Sequence, residues 1–241
     1  VVMLLSAHQP TYLPWLGLFH KISVADLFVV YDDVEYSRYG WYNRNYILSK
    51  NGPILLVVPV IRQFSDHLLH NQVKIDNSQN WSKKHIKSIE LCYSKSPYFN
   101  EYIDLFVDVF TKKYEYLFEL NISLLELFLK EFSIKTKIKY ASEYNLEYKK
   151  SDRAMDLAIK TKSTHILFGE LGANYAEIDK FEQNQIKVVF QKYNHPIYKQ
   201  FNSNQFFDKL SSIDLLFNYG KESKKILLSN NLIKNEYLNL R

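Results

Sequence analysis

A strand–helix–strand rhythm at the N-terminus constrains the fold of this chain more than any other feature. The apolar run Val1-Val2-Met3-Leu4-Leu5 leads directly into Ser6-Ala7-His8-Gln9-Pro10, the pattern of a short buried strand. Residues 13–24 then carry apolar side chains at helical spacing, at Leu13, Leu16, Phe19 and Ile22. A second apolar run, Leu27-Phe28-Val29-Val30-Tyr31, ends in Asp32-Asp33. Strand, helix and strand within about 30 residues is the size of a βαβ unit. With the two strands parallel, their carboxyl ends share one edge of the sheet, which is where open α/β sheets bind ligands. On this pattern His8 and Gln9 stand beside Asp32 and Asp33. Pro10 and Pro14 each fix a backbone angle and stiffen the path out of the first strand.

The remaining pattern is read against that unit. Residues 54–61 are expected to form a strand, 62–79 an aperiodic excursion, and 80–92 an amphipathic helix. Residues 100–132 have helical periodicity, with a break expected at Asn121 or Ser123, where Ser123 would act as a cap. The α/β rhythm then resumes, with strands at 136–140, 165–168 and 187–191, a helix at 152–162 and a short helix within 174–186. The expected architecture is α/β: a mostly parallel central sheet flanked by helices, in one domain over residues 1–220. Within it a helical insertion is expected at about 80–133, followed by a basic, solvated C-terminal tail over 221–241.

Composition narrows the function classes. The excess of 31 Lys and Arg over 26 acidic residues is small and scattered, so a nucleic-acid partner is not expected. Cys92 is the only cysteine, which rules out an intrachain disulfide and a cysteine-rich zinc site. No signal peptide is visible, and no apolar run reaches the roughly 18 residues of a spanning helix, so a cytoplasmic protein without a transmembrane segment is expected. With 19 Tyr and 16 Phe against 6 Gly, the chain is suited to dense packing with many hydroxyls on offer.

Several residue groups are candidates for chemistry. His8 has the residue type for a general base or acid near neutral pH, and Asp32 or Asp33 would orient it or hold a cation; the competing reading has both acids capping the next turn. Trp41-Tyr42-Asn43-Arg44-Asn45 offers a guanidinium fork for phosphate or carboxylate, amides, and a ring for stacking; alternatively, Arg44 pairs with a nearby acid. Gly169-Glu170-Leu171-Gly172 could bring backbone amides to a ligand, although it matches neither a Walker loop nor a dinucleotide fingerprint. Trp81, Lys83, Lys84 and His85 begin a helix that could favour an anion or simply be solvated. Asp66, His67 and His70 have ligand-like spacing but no further ligands, and no metal is expected. His195, Tyr198 and Gln200 follow the last strand and alternate with apolar residues, placing His195 and Ile197 on one face and Tyr198 and Gln200 on the other. No nucleophile elbow or zinc-peptidase motif occurs.

Taken together, these strings resemble the WbqC-like protein family. The resemblance rests on His8-Gln9-Pro10-x-Tyr12-Leu13-Pro14-Trp15-Leu16-Gly17, Asp32-Asp33-Val34, Trp41-x-Asn43-Arg44-Asn45, Lys74-Ile75-Asp76-Asn77, and His195-Pro196-x-Tyr198-x-Gln200 with Leu210-Ser211-x-x-Asp214. It spans residues 8 to 220 in a consistent order. Members are associated with bacterial O-antigen and other surface-glycan gene clusters. The resemblance implies a cytoplasmic step on a nucleotide-linked sugar, such as acylation or aminoacylation of an amino sugar.

The resulting expectation is a transferase acting on a nucleotide-activated amino sugar, with an acyl or aminoacyl donor as the implied co-substrate. His8 would be base or acid, Asp32 or Asp33 would orient it or bind the amine, and Arg44 would meet a phosphate or carboxylate. Gln9, Tyr12, Trp15, Trp41 and Asn43 would contact substrate, joined by Gly169, Gly172, His195, Tyr198 and Gln200. Two alternatives compete: an ATP-dependent adenylate-forming enzyme, and a non-catalytic sugar- or nucleotide-binding scaffold. The first lacks the paired-histidine signature, since His20 lies on the helix well after His8.

Overall fold

The computed structural model describes residues 2–61 and 67–240. Its central sheet has five parallel strands: β1 (Leu4–His8), β2 (Leu27–Val30), β5 (Lys137–Tyr140), β6 (His165–Phe168) and β7 (Lys187–Phe190), in the order β5-β2-β1-β6-β7. A strand covered on both faces reads as a continuous apolar run, as β2 does with all four residues buried. β1 begins later and runs further than its apolar stretch alone would place it. Ser6 stays inside because its hydroxyl donates to the Leu167 carbonyl at 2.7 Å. His8 is therefore the last residue of the strand.

Strand alternation sorts the side chains into two layers. Leu5, Leu27, Val29, Ile166 and Phe168 pack with Ala154, Leu157 and Ala158 of α5 (Lys150–Lys160) and with Phe181 of α6 (Ile178–Gln183). On the opposite face, Phe28 and Val30 pack with α1 (Leu16–Val24), while Leu4, Leu167 and Val189 pack with Val24 and Tyr237. Ser6 and His8 follow the parity of Leu4 and so belong to the α1 face.

Between β2 and β5 the chain leaves the sheet. It forms an antiparallel hairpin, β3 (Arg44–Ser49) with β4 (Gly52–Val57), then α2 (Trp81–Tyr93), α3 (Phe99–Thr111) and α4 (Leu117–Glu131). Residues 44 and 45 are thus the start of β3. The hairpin turns at Lys50-Asn51 with Gly52 at φ 111°, a conformation glycine adopts freely. The helical stretch breaks at 112–116 and not at Asn121 or Ser123. Lys112 turns extended after α3, and Glu119 reaches back to cap the Tyr116 amide at 3.2 Å. Asn121 lies inside α4, its amide donating to the Tyr42 carbonyl at 2.8 Å.

The segment expected as a solvated tail is folded. It follows α7 (Ile213–Tyr219) and forms α8 (Ser223–Leu228) and α9 (Lys234–Asn239). Leu227 and Tyr237 are fully buried, Tyr237 bonds the amide and carbonyl of Lys192, and Lys234 pairs with Asp26. Two buried apolar residues outweigh the basic composition of the surrounding sequence. Among the described residues no helix is long and apolar enough to cross a membrane.

Candidate active site

The strand order sets the location. From β1 the sheet grows one way through β2 and β5 and the other way through β6 and β7, so the topological switch point lies between β1 and β6. The register pairs Ser6 with Leu167; continued by two residues, it brings Gly169 level with His8. A Cβ built on Gly169 meets nothing within 4 Å, so open space lies beside that residue. Gly172 differs: a Cβ there would sit 2.5 Å from the Cβ of Phe168, so it serves close packing.

His8 is partly exposed at this edge, and its Nδ1 lies 2.8 Å from the Gln9 carbonyl. A carbonyl only accepts, so Nδ1 carries the proton and Nε2 holds the free lone pair. Desolvation of the ring, then the nearby Lys21 charge, push its pKa down to about 4 against the opposing pull of the Gln9 carbonyl. Near neutral pH the imidazole is uncharged and able to accept a proton.

Two residues that the strand pattern does not assign to this edge complete the neighbourhood. Lys21 on α1 is buried, donates to the Ala7 carbonyl at 2.9 Å, and has its pKa pushed down to about 7 by burial. His70 is buried in the short 3₁₀ turn His70–Gln72, where its amide donates to the Val34 carbonyl and the Asn71 amide donates to the Asp32 carbonyl. Those bonds set the turn over the end of β2. The His70 ring stands edge-on to Tyr42 at 4.4 Å and to Tyr36 at 5.4 Å. Burial and then His8 push its pKa down to about 4.

The predicted partners of His8 are engaged elsewhere. Asp32 is buried and accepts from the Ser142 amide at 3.0 Å and the Ser142 hydroxyl at 2.6 Å, capping the turn after β5. Asp33 pairs with Arg153, whose guanidinium lies over the Tyr31 ring. Both carboxylates stand at the carboxyl edge, but as turn and rim fixtures. Arg44 donates to the Tyr39 carbonyl at 3.1 Å and lies near the exposed Trp41 ring, and its charge is felt by Tyr36, so it borders the His70 neighbourhood.

Other candidates are structural. Tyr12 is fully buried, with its hydroxyl 2.7 Å from His85 Nδ1, so it offers no stacking surface. His85 is thereby an interior residue, while Lys83 and Lys84 are exposed. Asn43 donates to the Val58 carbonyl at 2.8 Å and Asn45 to the Leu13 carbonyl at 2.7 Å. Leu13 holds a left-handed φ of 43°, costly for a branched residue, and Asn45 anchors it there. Asn45→Ala should lower stability by about 1–3 kcal/mol in urea unfolding, because it strands a buried carbonyl beside a strained residue.

Trp15, His195 and their neighbours form a separate aromatic group. Trp15 meets Tyr193 edge-on at 5.5 Å, and Tyr193 leads to His195 at 6.1 Å. Residues 192–200 form no strand; Tyr198 and Gln200 point inward and Ile197 outward, but His195, expected on the face of Ile197, stacks with the Tyr198 ring at 6.4 Å. Tyr198 and Gln200 donate to Asp214 Oδ2 at 2.8 and 3.0 Å, deep in the interior. Burial pushes Asp214 up to about 6. Of the proposed ligand trio, Asp66 lies outside the described residues, His67 pairs with Glu35 at the surface, and His70 turns inward. Among the described residues no three His, Cys, Asp or Glu side chains gather as a metal site.

A three-layer fold with a histidine at the switch point of a parallel sheet places the molecule among the open-sheet α/β proteins. The chain belongs to the WbqC-like protein family, whose model matches residues 9–226. It is also 30% identical over 221 residues to the uncharacterized protein Rv1507c of Mycobacterium tuberculosis, covering 91% of this chain and 95% of that protein. No solved structure matches the chain.

Proposed function

We propose that this protein is a transferase that acylates or aminoacylates the amine of a nucleotide-linked amino sugar, a step in making a bacterial surface glycan. The observation that carries the reading is the His8 imidazole: at the switch point, partly exposed, uncharged near neutral pH, with its tautomer fixed by Gln9. Only a free amine attacks an acyl donor. Nε2 of His8 takes the proton as the new C–N bond forms and the donor's leaving group departs with the electron pair of the broken acyl bond. Gln9 orients the base, while Asp32 and Asp33 fix the rim and do not accept that proton. Arg44, Trp41 and Tyr36 flank the approach on the hairpin side, and the backbone at Gly169 gives room on the other. A cytoplasmic location fits a nucleotide-linked substrate.

Incubation with nucleotide amino sugars, acyl donors, amino acids and ATP, followed by mass spectrometry, tests this. An acylated sugar made by the wild type and not by a His8 variant is the expected result. Release of pyrophosphate from ATP would favour adenylate formation, and tight binding without product would favour a scaffold. Gly169→Ala adds a finer check. With open space around the new methyl, the unfolding midpoint should stay within about 0.5 kcal/mol of wild type, while KM for the sugar nucleotide rises.

A further inference from the structure

Lys21 is the least expected side chain in the molecule. Its position in α1 is 4% exposed, and its ammonium makes one hydrogen bond, to the Ala7 carbonyl, out of three it could make. Among the described residues none of the ion pairs includes it. A buried cation without a counter-charge costs more than the methylene stem can return, and an apolar residue of the same length would stabilise the fold.

His70 repeats the theme. It is 2% exposed, and among the described residues its buried Nε2 has no hydrogen-bond partner. Placement links the two. Lys21 Nζ is held on the residue preceding His8, the His8 carbonyl accepts from the Tyr31 amide, and the His70 turn is bonded to Asp32 and Val34 just beyond. The nearby acids do not answer these groups, since Asp32 is bonded by Ser142 and Asp33 by Arg153. Lys21 and His70 therefore each lie within electrostatic reach of His8, and the carboxylates at this edge, Asp32 and Asp33, are bonded to other groups.

We propose that Lys21 and His70, beside His8, form an anion pocket for the diphosphate of a nucleoside diphosphate group. This rests on the transferase reading for the substrate's identity, but the pocket is defined by its own residues. A diphosphate supplies the missing negative charge and enough acceptor oxygens for the two remaining Lys21 protons and for His70 Nε2–H. Binding also offsets the Lys21 charge that weakens His8 as a base, so the substrate's own phosphates strengthen the group that deprotonates its amine.

Calorimetric titration with pyrophosphate, inorganic phosphate and adenosine, uridine, guanosine and thymidine diphosphates tests the pocket without turnover. The wild type should bind pyrophosphate saturably, and at least one nucleoside diphosphate more tightly. Lys21→Met should unfold at an equal or higher temperature than wild type, yet bind pyrophosphate at least about tenfold more weakly. His70→Gln is the second variant, keeping a polar side chain in the same space, and should weaken binding similarly. Pyrophosphate binding within twofold of wild type in either folded variant overturns the pocket, as does no saturable binding by the wild type. Intact pyrophosphate binding with no sugar product in any mixture overturns the transferase reading and leaves the pocket standing.

Discussion

Urea unfolding at pH about 5 should require distinctly less denaturant than at pH about 7. His70 and His85 are buried neutral imidazoles, each pushed down to about 4 from 6.5 by desolvation. Between those values the unfolded chain binds more protons than the folded one. The stability they allow is therefore fully present above about 6.5 and is lost as the pH falls toward 4. Each imidazole gives up about 2 kcal/mol between pH about 7 and about 5. Asp214 acts in the opposite sense: its pKa is raised from 3.8 to about 6, so its ionised form disfavours folding at neutral pH. Protonating it on acidification returns about 1 kcal/mol. These three groups together give a net loss of about 3 kcal/mol, a large part of the 5–15 kcal/mol that usually holds a domain together. His85→Gln, which keeps a polar partner near the Tyr12 hydroxyl, should remove about 2 kcal/mol of the pH dependence. A flat profile in the wild type would mean that neither imidazole is desolvated.

His8→Ala should leave a folded protein whose transferase turnover falls by about 10²–10⁴-fold, the usual contribution of a positioned general base. His8 is partly exposed at a strand end, so truncating it removes little packing. The loss should fall on kcat, since the proton moves only as the amine attacks. Added imidazole should restore part of the rate at the open position, a response that a merely structural histidine would not produce. A fully active alanine variant would remove His8 from the mechanism.

The sheet itself was readable because parallel strands declare themselves as apolar runs. The expected strand at 165–168 coincides with β6, and β1 and β2 pair in parallel, which places His8 and Asp32 at one edge. The hairpin was less visible. Its first strand begins with Arg44, Asn45 and Tyr46, whose polarity imitates a loop. The break between α3 and α4 was hidden because Tyr114 fits the apolar period while its backbone has already left the helix. The place of Lys21 and His70 beside His8 is not legible in the sequence for another reason. A lysine in a short helix is normally a solvated position, and only the packing of α1 against the sheet turns this one inward. His70 reaches the site through backbone bonds to Asp32 and Val34, contacts that leave no local trace in sequence.

The place of β1 in the sheet has a consequence for how the molecule is made. β1 is the central strand and is made before the other strands of the sheet, yet Ser6 bonds Leu167, 161 residues later in the chain. Until β6 is synthesised, one edge of the strand that carries His8 has no partner, and an unpaired edge readily recruits other chains. The closing contacts come later still, when Tyr237 settles against Leu4 and Val24. Nascent chains stalled before β6 should therefore be prone to aggregate and dependent on chaperones.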